Sequence, residues 1–126
     1  MRPRRVVLVV DDQAMTRDMV GAMLEHDEVE VHTAHDGPSA LELAATVRPD
    51  VVLLDVTMPG DDGFAVCRTL RETYGDFAPR VVMLTGRADD ASRAAAVEAG
   101  AAAYLVKPFS AFDLFRVVDE EAARGA

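Results

Sequence analysis

The feature that most constrains the fold is a run of four apolar residues followed at once by an acid, Val51-Val52-Leu53-Leu54-Asp55. A strand with no polar break is buried on both faces, which is typical of the centre of a parallel sheet covered by helices. Pro59 and Gly60 stop regular structure soon afterwards, so Asp55 should lie at the carboxyl end of this strand. Ligand sites of open α/β sheets lie at that edge. Asp55 is therefore the first candidate functional residue.

Length and charge narrow the class of protein. The chain has 126 residues, which predicts a single domain over residues 1–126 with its core at about residues 5–124. The net charge is −9, so we expect no direct nucleic-acid binding by this domain. No apolar run approaches the ~20 residues of a membrane helix, and we expect no membrane association. The basic start of the chain precedes an apolar run too short for a signal peptide.

The single cysteine, Cys67, excludes a disulfide within the chain and a zinc cluster built on cysteines. A chain of this kind agrees with a reducing cytoplasm, and we expect a cytoplasmic protein. Cys67 lies at helical spacing from Phe64 and Leu70, which predicts ordinary core packing for its thiol.

Apolar runs and helical periodicity alternate along the whole chain. The predicted strands are Val6–Val10, Val29–Ala34, Val51–Asp55, Arg80–Thr85 and Ala102–Val106. The predicted helices begin near Met15, Gly37, Asp62, Asp89 and Ser110. The second strand alternates in polarity and is expected at an edge. Alternating strands and helices imply right-handed crossovers, and hence an α/β three-layer sandwich around a parallel five-stranded sheet.

Chemically active side chains follow four of these strands: Asp11-Asp12, Asp55, Thr85 and Lys107. Because the carboxyl ends of parallel strands share one edge, we expect them to meet in one pocket. Clustered carboxylates repel one another unless a cation offsets their charge. A site of carboxylate and carbonyl oxygens without His or Cys favours a hard divalent ion, Mg²⁺ above all, with Mn²⁺ as the alternative.

This constellation suits phosphoryl transfer to Asp55. The reaction needs an in-line nucleophile and positive charge against the equatorial phosphate oxygens, which Mg²⁺ and Lys107 would supply. Thr85 would donate a hydrogen bond to the phosphorylated form alone, which makes it a switch as well as a ligand.

The residues resemble the receiver domain of two-component response regulators, the family of the single-domain chemotaxis regulators. The resemblance covers nearly the whole chain and rests on four motifs in order: Asp11-Asp12, Asp55 with Met58-Pro59-Gly60 and Gly63, Thr85-Gly86, and Lys107-Pro108-Phe109. It implies a flavodoxin-like doubly wound (βα)5 fold with strand order 2-1-3-4-5.

The resemblance also implies roles for single residues. Asp55 would accept a phosphoryl group from a phosphohistidine on a sensor histidine kinase or a histidine phosphotransfer protein. Asp12 would bind Mg²⁺ directly, Asp11 largely through water, and Thr57 through its backbone carbonyl. Lys107 would pair with the phosphate, and its peptide bond to Pro108 is cis in the family.

Thr85 and Tyr104 resemble the family's coupled switch pair, in which the hydroxyl turns toward the phosphate and the aromatic ring turns inward. Such a protein is a phosphoacceptor that assists its own phosphorylation and dephosphorylation, not a turnover enzyme. We expect a monomer or a weak phosphorylation-dependent dimer.

Other interpretations compete with this one. Asp11-Asp12 alone is more often a helix cap, and Asp55 alone a turn residue. A haloacid-dehalogenase-type phosphatase also forms an aspartyl phosphate, but it needs a second acid two residues after the nucleophile, where this chain has Thr57. An unphosphorylated pseudo-receiver and a flavin-binding flavodoxin relative are further alternatives. Asp61 and Asp62 are expected to cap the third helix.

Overall fold

The computed structural model describes residues 5–24, 29–58, 61–86 and 89–125, with the backbone alone at 57, 58, 61, 62 and 125. Five strands form the main sheet: β1 Arg5–Val10, β2 Val29–Ala34, β3 Val51–Asp55, β4 Arg80–Thr85 and β5 Ala103–Val106. The helices are α1 Ala14–Leu24, α2 Gly37–Val47, α3 Gly63–Tyr74, α4 Asp90–Ala99 and α5 Ala111–Gly125. A 3₁₀ turn, Gly75–Phe77, follows α3.

The main sheet is parallel throughout and has the order β2-β1-β3-β4-β5. This confirms the flavodoxin-like order 2-1-3-4-5 expected from the resemblance. All five residues of β3 are buried, as the apolar run Val51–Leu54 predicts for the first four, and β2 lies at an edge. Val10 pairs with Leu54, and Asp55 pairs with Leu84, so neighbouring strands end nearly level. This register determines which side chains meet beyond the strand ends.

Apolar side chains form one core cluster on each face of the sheet. One cluster joins the sheet to α2, α3 and α4, through residues such as Ala40, Val66 and Ala96. The other joins it to α1 and α5, through residues such as Val20 and Leu114. Successive residues of a strand point to opposite faces, so a run such as Val7-Leu8-Val9-Val10 supplies both clusters. The predicted three-layer arrangement is confirmed.

Caps fix several helix ends. Asp36 accepts a hydrogen bond from the Ser39 amide at the start of α2, and hydrogen bonding to Ser39 lowers the pKa of Asp36 below its ordinary value. Ser110 and Asp113 exchange backbone-to-side-chain hydrogen bonds at the start of α5 and so form a capping box. Gly100 closes α4 with a φ of 95°, a left-handed conformation that favours glycine.

Besides the 3₁₀ turn, the structure adds a short antiparallel pair that the pattern did not predict, formed by Thr57–Met58 and Asp61–Asp62. Two-residue strands carry no periodicity, so no sequence signal marks them. The expected capping of α3 by Asp61 and Asp62 concerns side chains outside the described part of the chain. The fifth strand begins at Ala103 instead of Ala102.

Cys67 is a residue of α3 and is buried in the core, as predicted, and burial raises the pKa of its thiol. Among the described helices, none combines the length and the apolar character needed to cross a bilayer.

Candidate functional site

Three carboxylates meet at the carboxyl edge of the sheet. Asp11, Asp12 and Asp55 each place a carboxylate oxygen so that the three atoms lie within 4.8 Å of one another. Asp11 and Asp55 directly follow the paired residues Val10 and Leu54 of the neighbouring strands β1 and β3, which explains the convergence. Asp11 is 1% exposed and Asp55 6% exposed, whereas Asp12 faces solvent. The predicted acidic pocket is present.

Asp11 is held at its backbone and at its side chain. Its amide donates to the carbonyl oxygen of Ala34 at 3.2 Å, which extends the pairing with the edge strand by one residue. Its carboxylate accepts from the Gln13 amide at 2.9 Å, a turn that leads into α1. Its carbonyl oxygen accepts from Nη1 of Arg17 at 2.6 Å. Sequence reasoning missed Arg17, because a single arginine on a helix gives no signal of what it contacts.

Lys107 brings a positive charge to these acids. Its Nζ lies 3.5 Å from an Asp11 carboxylate oxygen and 3.7 Å from one of Asp55. The Lys107–Pro108 peptide bond is cis, as the resemblance implied. The Lys107 amide donates to the carbonyl oxygen of Thr85 at 2.7 Å, which joins the ends of β4 and β5. Lys107 thus lies between two carboxylates that it partly neutralises.

Thr85 lies beside the acids at the end of β4. Asp55 pairs with Leu84, which directly precedes Thr85. The amide of Val56, the residue after Asp55, donates to the Leu84 carbonyl oxygen at 3.1 Å. Thr85 is 3% exposed. The structure therefore places this hydroxyl residue next to Asp55, with Lys107 on its other side.

Tyr104 lies further along β5, on the sheet face covered by α3 and α4. It pairs with Met83 and packs, half-buried, against the core cluster of that face. Thr85 is two residues beyond Met83, so the two members of the proposed switch pair belong to the same face. The guanidinium of Arg93 on α4 lies 5.6 Å from the centre of the Tyr104 ring, a cation–π contact that sequence reasoning did not find.

Gly63 allows the acidic pocket and α3 to lie close together. A Cβ atom at this position would come within 2.8 Å of the Asp55 carbonyl oxygen and 3.0 Å of the Val56 Cα. Both contacts are with backbone, so a side chain at Gly63 would force the strand end to move. The glycine is therefore required by close approach.

The remaining predicted ligand, the carbonyl of Thr57, belongs to the short strand pair, where Thr57 pairs with Asp62. Pro59 and Gly60 of the same motif lie outside the described residues. The structure places the Thr57 backbone two residues beyond Asp55.

The donor set fits a hard divalent cation. The three clustered groups are all carboxylates, and oxygen donors of this kind suit Mg²⁺ and Mn²⁺. Within the described residues the Asp12 carboxylate has no hydrogen bond or ion pair, so it is free to bind an ion. Lys107 alone does not balance three ionised acids. A cation would therefore relieve their mutual repulsion.

Comparison with known proteins identifies the family that this site resembles. The family model described as "Response regulator receiver domain" matches residues 7–119. Response regulator MprA of Mycobacterium ulcerans (strain Agy99) is 45% identical over 108 residues, which are 86% of this chain and 46% of that protein. MprA of Mycobacterium tuberculosis (strain ATCC 25618 / H37Rv) is 44% identical over the same lengths. The chain thus spans about half the length of the curated relatives it matches.

Solved structures agree with this result. The chemotaxis protein CheY4 of Vibrio cholerae superposes with a TM-score of 0.87 at 33% identity, over 93% of this chain and 98% of that one. The receiver domain of NtrX from Brucella abortus gives a TM-score of 0.84 at 31% identity, over 93% and 98% of the two chains. The matches favour the receiver-domain interpretation over the phosphatase and flavodoxin alternatives.

Proposed function

The chain belongs to the response regulator receiver domain family, and from this premise we propose that Asp55 accepts a phosphoryl group in a Mg²⁺-dependent transfer. The observation that carries the proposal is the cluster of Asp11, Asp12 and Asp55 with Lys107 between two of its members. It combines a nucleophile, oxygen ligands for a cation and a fixed positive charge at one sheet edge.

The described residues divide the work of the transfer. A carboxylate oxygen of Asp55 attacks the phosphorus of a phosphohistidine, and the new O–P bond forms as the N–P bond breaks. The electron pair of the broken bond stays on the imidazole nitrogen. Asp12 and Asp55 would hold Mg²⁺ directly, Asp11 through water, and Thr57 through its carbonyl. When bound, Mg²⁺ supplies positive charge against the phosphate oxygens.

Lys107 and Thr85 act on the other phosphate oxygens. The Lys107 ammonium lies 3.5 and 3.7 Å from the carboxylates of the two buried acids. It would replace one of these ion pairs with an ion pair to the incoming phosphate. Thr85 would donate its hydroxyl to a further oxygen. Because both residues join at the backbone hydrogen bond between β4 and β5, the phosphate would couple these two strands.

The switch follows from the position of Tyr104. Movement of Thr85 toward the phosphate would open space on the face where Tyr104 packs, and the ring would turn inward. The surface of α4 and β5, which carries the Arg93 contact, would then change. The protein is on this account a phosphoacceptor switch with self-catalysed phosphorylation and dephosphorylation, not a turnover enzyme.

The partners follow from the chemistry. We propose a sensor histidine kinase or a histidine phosphotransfer protein as phosphodonor, acting in the cytoplasm. The net charge of −9 opposes direct nucleic-acid binding by this domain. A monomer or a weak phosphorylation-dependent dimer fits a switch of this kind.

Phosphorylation is tested with a small-molecule donor. We expect that acetyl phosphate and MgCl₂ add the mass of one phosphoryl group to the intact protein, measured by mass spectrometry. Asp55→Asn should abolish the addition because the nucleophile is lost, and EDTA should suppress it in the wild type. Asp76→Asn removes an exposed acid from the 3₁₀ turn at the other edge and serves as the control, with wild-type incorporation. Incorporation that survives Asp55→Asn would refute the assignment.

Hydrogen exchange on the same phosphorylated sample tests the switch. We expect altered amide protection in α4 and around Tyr104, because these elements pack on the face that Thr85 shares. The Asp55→Asn protein, treated identically, is the control. Unchanged exchange in these segments, at full phosphorylation, would contradict the switch while leaving the phosphoryl transfer intact.

A further inference from the structure

Arg17 makes a contact that the proposed phosphotransfer machinery does not include. From the end of the first turn of α1, its Nη1 reaches back to the carbonyl oxygen of Asp11 and donates a hydrogen bond of 2.6 Å. The Arg17 amide also donates to the Gln13 carbonyl oxygen at 3.1 Å, in the first backbone hydrogen bond of the helix. One residue therefore fastens both the start of α1 and the turn before it.

The Asp11 carbonyl needs such a partner because of where it lies. Strand β1 ends at Val10 and α1 begins at Ala14, so this carbonyl falls between the ladder of the sheet and the hydrogen bonds of the helix. Asp11 is 1% exposed, and a buried acceptor without a donor is costly. A charged donor gives a strong bond here.

The same carbonyl belongs to the planar peptide unit that joins Asp11 to Asp12. Holding its oxygen therefore fixes the orientation of the peptide plane from which Asp12 extends. The Asp12 carboxylate has no hydrogen bond or ion pair among the described residues, so its position depends on this backbone. The Gln13 amide, which donates to the Asp11 carboxylate at 2.9 Å, closes the same turn.

We propose that Arg17 is a positioning residue for the divalent cation: it locks the Asp11–Asp12 peptide unit and so presents the Asp12 carboxylate to the ion. This inference rests on the proposed function, because it assumes that Asp12 binds Mg²⁺. The positive charge of Arg17 alone would weaken Mg²⁺ binding, since a cation beside three acids repels Mg²⁺. If Arg17 acts by positioning Asp12, its replacement should weaken Mg²⁺ binding. If it acts by charge alone, its replacement should tighten Mg²⁺ binding.

Two variants separate these effects. Arg17→Met removes the charge and the donor at similar length, while Arg17→Lys keeps the charge but loses the planar guanidinium. Arg116→Met is the matched control, because Arg116 is exposed on α5 and pairs with Glu120 one turn away. Urea unfolding of all three proteins checks that the fold is retained.

The first measurement uses magnesium-free protein. We expect the Gln13 amide to exchange about tenfold faster in Arg17→Met, because the turn it closes is released, while amides of β3 keep their wild-type rates. Arg116→Met should leave Gln13 unchanged. A wild-type exchange rate at Gln13 in Arg17→Met would overturn the proposal, whatever the metal does.

The second measurement is Mg²⁺ affinity by calorimetry, with the Mg²⁺ dependence of phosphorylation by acetyl phosphate beside it. We expect Arg17→Met to weaken binding about tenfold, the low end for loss of a residue that orients a ligand, with Arg17→Lys between it and the wild type. At saturating Mg²⁺ the phosphorylation rate should recover to within about twofold, because Arg17 does not touch Asp55. Tighter Mg²⁺ binding by Arg17→Met would mean that charge alone acts and would overturn the proposal. A wild type that binds no Mg²⁺ would instead refute the proposed function.

Discussion

At the amino end of the sheet acids lie beside arginines, whereas at the carboxyl end acids lie beside one another. Glu121 of α5, 3% exposed, accepts from Nε of Arg80 at 3.1 Å and lies 3.5 Å from Arg124. Asp119 forms an ion pair with Arg5 of β1. At the opposite end three carboxylates crowd within 4.8 Å, with Lys107 near two of them.

The paired acids at the amino end and the clustered acids at the carboxyl end have different consequences, the first for stability and the second for function. An acid that has its counter-charge in the folded protein supports the fold, and its removal leaves a partly buried arginine without a partner. Acids that face one another strain the fold until a ligand relieves them. On the proposed function, the carboxyl end of the sheet would receive a cation and a phosphoryl group, while the ion pairs at the amino end attach α5 to the sheet.

The largest expected effect is at the amino edge. Glu121→Gln should lower the free energy of unfolding by about 2 kcal/mol, because it leaves Arg80 without its counter-charge. The value is below that of a fully buried pair because the Arg80 side chain is 37% exposed. Urea unfolding monitored by circular dichroism measures it.

The neighbouring residue provides the control. Glu120→Gln makes the same chemical change at an exposed position whose partner, Arg116, lies 3.8 Å away. We expect a change within about 0.5 kcal/mol, as for other surface pairs. Equal changes in the free energy of unfolding for Glu121→Gln and Glu120→Gln would contradict a stabilising role for the Glu121–Arg80 pair.

Much of the fold follows from local patterns in the sequence. The runs Val6–Val10 and Val51–Leu54 predict buried central strands, and the alternating Val29–Ala34 predicts the edge strand. The short pair of Thr57–Met58 with Asp61–Asp62 was missed, since two residues are too few to show a period. The strand order came from the family resemblance, because periodicity does not determine how parallel strands are ordered.

The acidic pocket was predictable for a related reason. Asp11, Asp12, Asp55 and Lys107 all follow strand ends, and a parallel sheet brings those ends together. The contacts of Arg17, Arg93 and the pair of Arg80 with Glu121 were not predictable. Tertiary packing brings Arg93 to Tyr104 and Arg80 to Glu121, whereas Arg17 contacts the Asp11 carbonyl six residues before it. An arginine in a helix or strand has the same sequence signature whether it is paired or free.

The central claim is that the clustered carboxylates repel one another until a divalent cation binds between them. The free energy of unfolding of the wild type and of Asp12→Asn, each measured with and without Mg²⁺, tests it most directly. Without Mg²⁺ we expect Asp12→Asn to be more stable by about 0.5–1 kcal/mol, because one of three mutually repelling acids is gone. At ten times its dissociation constant, Mg²⁺ should stabilise the wild type by about 1.4 kcal/mol and the variant far less. The account would be contradicted if, without Mg²⁺, Asp12→Asn had a lower free energy of unfolding than the wild type. It would also be contradicted if Mg²⁺ raised the free energy of unfolding of Asp12→Asn as much as that of the wild type.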